Sequence, residues 1–171
     1  VVNDNFYFIE NERYDLDAVL QKGAELVKRK GIKCLVIDPY NKIKMNGSAN
    51  MSIPDATMEY LTRIEAFAKK HDVLVIVVAH PTKMYKKEDG TIDEPNMYNI
   101  KGGGEWYDAS YHGLLVHRDY NKKTVKVKVL KVKFQNLGEN QAEAHFKWDH
   151  TSGNYIPVFD VSNEIMPWEV G

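Results

Sequence analysis

A single cysteine, Cys34, stands among the 171 residues, so no disulfide can form within the chain. One thiol inside an apolar run suits a reducing, intracellular setting. Long hydrophobic runs are missing too. None approaches the ~18 residues that a membrane-spanning helix requires, and no stretch reads as a signal peptide, so a soluble chain is expected. Excess charge of either sign is absent: 23 basic and 24 acidic residues leave a net −1. Any contact with nucleic acid must therefore come from local patches rather than the global field. The six histidines are scattered and have no cysteine cluster beside them, so no zinc site is expected. His112 and His117, five apart on one strand, would point to opposite faces. No GxxxxGK[ST] loop occurs, which removes the usual cradle for nucleotide phosphates. The chain opens at Val1-Val2-Asn3 without a methionine, which reads as a fragment.

What is present begins with Lys33-Cys34-Leu35-Val36-Ile37-Asp38, an apolar run that ends in an acid. A second run, residues 73–79, ends in His80. Both read as buried parallel strands that deliver a polar residue at their C-terminal ends, the edge where open α/β sheets place ligands. An aspartate at such a position holds the magnesium of bound nucleotide in many hydrolases.

The remaining pattern supports this reading. Residues 6–9 form a short aromatic strand. Asp15 caps a helix whose apolar positions are Leu16, Val19, Leu20, Ala24 and Val27, and Gly31 ends it. Residues 39–53 are a polar loop. A second helix starts near Pro54 and turns Leu61, Ile64, Phe67 and Ala68 inward. Residues 81–104 hold two prolines and four glycines without a period, a long loop of the kind that is functional or disordered. A short helix over 105–109 leads to a strand over 113–117. Strand then follows strand. In residues 124–134 the alternation of Val125, Val127 and Val129 slips by one to Leu130, Val132 and Phe134, so a β-bulge is expected near Val129–Leu130. Residues 135–141 turn, 142–148 return, and 149–153 turn again into 154–157. Helix–strand alternation followed by a meander implies α/β architecture, a mostly parallel sheet with an antiparallel C-terminal hairpin extension.

Several segments together resemble the C-terminal half of the RecA-like motor of hexameric replicative DNA helicases, nearest to phage and Twinkle-like primase-helicases, with DnaB further off. LVIDPYNKI resembles the Walker B strand and its loop, and VIVVAHPTK the next strand with its phosphate-sensing residue. NIKGGGEWYDASYHGLLVHRD is similar to the family's "RGSG…D…ER" segment. VLKVKFQNLGE resembles its "KxR" hairpin, and HTSGNYIP its closing turn and strand. The resemblance implies a RecA-like P-loop NTPase core over residues 1–157 whose N-terminal P-loop part is missing. The missing strand belongs in the middle of the family's sheet, so its absence should divide the sheet. The family's arginine finger aligns with Lys133, and Lys131 matches the lysine of the pair. Arginine offers a bidentate fork where lysine is a point charge. Either lysine serves here or another group, such as Arg118, takes the role.

By the resemblance Asp38 binds Mg²⁺ through water and aligns ATP, although an acid capping a loop would look the same. His80 hydrogen-bonds the γ-phosphate, or else is an ordinary packed histidine. Lys131 and Lys133, two apart and on one face, reach into a neighbour's ATP site; a charged edge strand explains six lysines over residues 122–133 as easily. The loop over 81–104 grips single-stranded DNA through Lys83, Lys86, Lys87 and Lys101, with Tyr85 and Tyr98 available to stack on bases. Four acids in the same loop also fit a plain solvated segment. Gly102 and Gly103 permit positive φ, and backbone N–H groups before the short helix could hold a phosphate. Asp108 reads as structural.

The implied whole is an ATP- and Mg²⁺-dependent helicase. Its subunits form a homo-oligomeric ring, a hexamer, with single-stranded DNA in the channel and a primase or polymerase as partner. It would be cytoplasmic and bacterial or phage-encoded. The isolated chain would lack ATPase activity. Residues 158–171 form an acidic C-terminal tail, expected to be disordered. Two rivals remain: a degenerate RecA-like binding or assembly module, and a recombinase- or KaiC-type ATPase.

Overall fold

A computed structural model describes residues 5–10, 14–44, 51–84, 93–119 and 122–159. The chain divides into two compact units, Val1–Ser110 and Tyr111–Gly171. Among the described residues the strands fall into two sheets, one parallel and one antiparallel, in line with the expectation of a divided sheet.

In the first unit, helix α1 (Leu16–Lys30) begins where the Asp15 carboxylate accepts from the Ala18 N–H at 2.8 Å. It ends at Gly31, whose φ of 66° lets its N–H reach back to the Val27 carbonyl. Strand β1 (Cys34–Ile37) pairs in parallel with β2 (Leu74–Val77), Leu35 opposite Val75 and Val36 opposite Ile76. Between them runs α2 (Ile53–His71), capped by Ser52 and carrying Pro54 in its first turn. Leu35, Phe67 and Val73 form a buried cluster against Ile9, Leu20, Ala24, Val27 and Val75, so α1 and α2 cover the same sheet face.

That arrangement corrects one expectation. The two strands are not buried on both sides. Leu35 and Ile37 are buried, but Val36 is 55% exposed, Leu74 59% and Ile76 43%. Continuous apolar runs predict double coverage, yet within the described residues only one face has helices on it. Residues 6–9 are not a strand, having no ladder partner among the described residues, and Phe8 is 89% exposed. The polar loop after Asp38 contains one turn of 3-10 helix, Tyr40–Lys42. Short helix α3 (Gly104–Ala109) closes the unit and buries Trp106.

The second unit is an antiparallel meander of β3 (His112–Asp119), β4 (Thr124–Val132), β5 (Glu143–Asp149) and β6 (Asn154–Val158). Gly113 pairs with Lys131 and Leu114 with Val129, which leaves Leu130 as the extra residue of the expected bulge. The bulge absorbs the slip in alternation. Val125, Val127 and Val129 lie opposite Arg118, Val116 and Leu114, while Lys126, Lys128 and Lys131 lie opposite His117, Leu115 and Gly113. Because directly paired residues share a side, the valines keep one face and the three lysines the other. Leu114 and Val116 on the valine side are 66% and 70% exposed. No helix among the described residues is long and apolar enough to cross a membrane.

Candidate functional site

The C-terminal edge of the parallel sheet is built by continuing its ladder. The Val78 N–H donates to the Ile37 carbonyl and the Tyr40 N–H to the Val78 carbonyl, each at 2.8 Å. Asp38 and His80 therefore leave the sheet at the same edge, as the sequence predicts. Both are exposed, and neither has a hydrogen bond or ion pair to another described residue. A carboxylate presented at this edge with no partner among the described residues fits a metal held through water. It cannot hold the metal unaided, since no group of three His, Cys, Asp or Glu ligands occurs among the described residues. A metal at this position would need water and the oxygens of a bound anion as its other ligands.

Directly after His80 the long loop is stapled at its base. Pro81 bridges Ile100, and the Asn99 carbonyl accepts from the Thr82 N–H at 2.7 Å and from the Thr82 hydroxyl at 2.9 Å. A capping box shapes the returning limb, Met97–Asn99: the Asn96 side chain accepts from the Tyr98 N–H, and the Asn96 N–H donates to the Asn99 side chain. Lys83 and Lys101 are exposed here. Lys86, Lys87 and Tyr85 lie outside the described residues. Tyr98 is 58% exposed and stacks on Tyr107, with ring centroids 5.2 Å apart.

The glycines behave differently from the phosphate cradle that the sequence suggests. Gly102 has φ +102°, and a Cβ there would fall 2.8 Å from the Thr57 methyl carbon and closer still to its hydroxyl oxygen. Gly103 has φ +56°, and its N–H already donates to the Ile100 carbonyl at 2.8 Å. The positive φ values are as expected, but their evident use is to bring the backbone against α2. Helix α3 has only six residues, too short for a developed dipole at its start.

Lys131 and Lys133 belong to the second unit. Strand β4 stops at Val132, but the Lys133 N–H extends the ladder to the Tyr111 carbonyl at 2.9 Å. The Lys133 ammonium lies 4.1 Å from the centroid of the Tyr111 ring, a cation–π contact. Lys131 is half-buried opposite Gly113.

Known proteins are similar to this chain in sequence or in fold. The chain is 32% identical over 162 residues to the Twinkle homolog protein, chloroplastic/mitochondrial, of Arabidopsis thaliana, a match over 90% of this chain. In sequence, this chain is similar to part of that Twinkle homolog. Two solved structures carry the same fold. The first, an ATPase domain, superposes with a TM-score of 0.70 at 14% identity, over 88% of this chain and 54% of that one. The second, a DnaB-like replicative helicase solved for its interactions with primase, superposes with 0.66 at 16% identity, over 86% of this chain and 36% of that one. No family model matches. The chain spans 22% of the length of the Twinkle homolog.

Three residues at this site escaped the sequence reading: Tyr40, Thr57 and Trp106. Their signal was faint, an aromatic after an Asp-Pro step, a threonine inside a helix and a tryptophan in a six-residue helix. Their importance lies in contacts that sequence spacing does not encode.

Proposed function

We propose that the chain is a segment of an ATP-dependent, ring-forming replicative DNA helicase, in which ATP hydrolysis drives movement along single-stranded DNA. The observation that carries this reading is the 32% identity to the Twinkle homolog over most of the chain. The shared exit of Asp38 and His80 at one sheet edge supports it.

In this reading Asp38 accepts hydrogen bonds from water on Mg²⁺ and so fixes the position of ATP. The metal, when bound, would neutralise charge on the phosphates. His80 offers a ring nitrogen to the γ-phosphate and stands immediately before the Pro81–Ile100 staple of the loop. Lys83, Lys86, Lys87 and Lys101 neutralise DNA phosphates, with Gly102 and Gly103 shaping the loop's return. Lys131 and Lys133 serve a neighbouring subunit's ATP across a head-to-tail interface that closes into a hexamer. A primase partner is suggested by the DnaB-like helicase of the same fold, which interacts with primase. A polymerase is a second candidate partner. The cytoplasm of a bacterium, or of a phage-infected one, is the proposed location; the Arabidopsis relative is by name organellar.

The test is ATP hydrolysis with and without single-stranded DNA, on this chain and on a longer polypeptide that adds a GxxxxGK[ST] loop upstream. Activity in the longer chain only, stimulated by DNA and lost in Asp38→Ala, is the expected result. Silence in both would leave the non-catalytic binding module as the better reading.

A further inference from the structure

A closed circuit of contacts joins the residues after Asp38 to the returning limb of the 81–104 loop. Tyr40 is buried and meets Trp106 edge to face, with centroids 4.7 Å apart and planes at 82°. The Trp106 indole N–H donates to the Lys101 carbonyl at 3.0 Å. Lys101 is bonded to Gly102, whose backbone lies against the fully buried Thr57. Thr57 and Tyr60 sit three apart on one face of α2. Tyr60 returns to Tyr40, centroids 5.0 Å apart and planes at 71°.

Edge-to-face ring pairs at these distances are favoured by the ring quadrupoles, and close-packed groups transmit displacement because they have no slack. Each partner in the circuit is braced by two others. A shift of the backbone at Tyr40 therefore has one open outlet. The wall formed by Thr57 and Tyr60 belongs to a 19-residue helix anchored in the core through Leu61, Ile64 and Phe67. Helix α3, six residues long, is the lighter body.

We propose that Tyr40 is a positioning residue for the DNA loop: through Trp106 it delivers movement of the Asp38 segment to Lys101 and Gly102. The role in helicase action rests on the function proposed above, whereas the mechanical coupling does not. The second connection, from His80 through Pro81 and Thr82 to Asn99 and Ile100, holds the same limb from the other side. Events at the two sheet-edge residues thus converge on residues 99–102.

Amide hydrogen exchange on this chain tests the coupling. Tyr40→Leu should accelerate the Ile100 and Gly103 amides by about 10-fold or more, the signature of local opening, while β1 and β2 keep their protection. Trp106→Leu should do the same to the Ile43 amide, which donates to the Tyr40 carbonyl. Tyr40→Phe keeps the ring and should restore wild-type exchange, which separates ring contact from the hydroxyl. Trp106→Phe keeps a six-membered ring but loses the indole N–H with the rest of the bicycle, and should loosen Gly103 more than Ile43. Acceleration confined to the neighbours of each substitution, or spread evenly into β1 and β2, overturns the proposal. Binding of an oligo-dT strand, followed by anisotropy on the same proteins, reports separately on the helicase reading. Failure of the wild-type chain to bind would count against that reading and leave the exchange result to decide the coupling.

Discussion

Gly102 and Thr57 are packed so closely that a methyl group on the glycine would fall 2.8 Å from the threonine methyl carbon and overlap its hydroxyl oxygen. The glycine also holds φ at +102°, a region that side chains rarely adopt. Thr57 cannot yield easily, because its hydroxyl donates to the Ile53 carbonyl at 2.9 Å and the residue is wholly buried. Gly102→Ala should cost about 2–4 kcal/mol from backbone strain and overpacking together. Urea denaturation reads this directly, and an unchanged midpoint would sink the close-packing account.

Tyr60 buries a hydroxyl that has no hydrogen-bond partner among the described residues. Burial, with the nearby Tyr40 phenol second, raises its pKa above the ordinary 10.0. Removing an unsatisfied polar group costs little, so Tyr60→Phe should melt at the wild-type temperature or up to about 1 kcal/mol more stable. The pH dependence has a fixed sign. A tyrosine whose folded pKa is raised contributes stability that is complete below the unfolded value and lost as pH climbs through and above 10.0. Melting curves between about pH 9 and about 11.5 should fall more steeply for Tyr60→Phe's parent, the wild type, than for the variant. Parallel curves would contradict the buried position.

Lys133 rests on the Tyr111 ring. Such contacts are worth about 0.5–1 kcal/mol at exposed sites, enough to hold the side chain and little enough for a phosphate to draw it away. Tyr111→Leu should shift the Lys133 ε-methylene protons downfield in NMR spectra, as the ring current is lost. Equal shifts in the two proteins would mean that the ammonium does not occupy this position in solution.

Cys34 shares the uncovered face of the parallel sheet with Val36, Leu74 and Ile76. Its thiol should react with a disulfide reagent in the folded chain, without denaturant. An apolar face open to water also binds hydrophobic dyes. The pair Val36→Thr and Leu74→Thr should lower dye fluorescence while leaving the α1–α2 side intact. A thiol that reacts only after unfolding would show that something covers this face.

Local chemistry was legible in the sequence wherever a residue acts on its near neighbours. The Asp15 cap, the Gly31 stop, the proline-led second helix and the bulge at Leu130 all follow from short-range spacing. So does the delivery of Asp38 and His80 to one edge, because a parallel pair must end its strands together. Coverage was not legible. The apolar runs ending in Asp38 and His80 record what each strand could bury, but which face is buried depends on where α1 and α2 dock. The tertiary structure also assigned Gly102 to Thr57, Lys133 to Tyr111 and Tyr40 to Trp106. Tyr40 and Trp106 lie more than sixty positions apart, and Gly102 and Thr57 more than forty. Periodicity reports the face a residue presents, whereas a contact across such distances exists only once the intervening elements have packed.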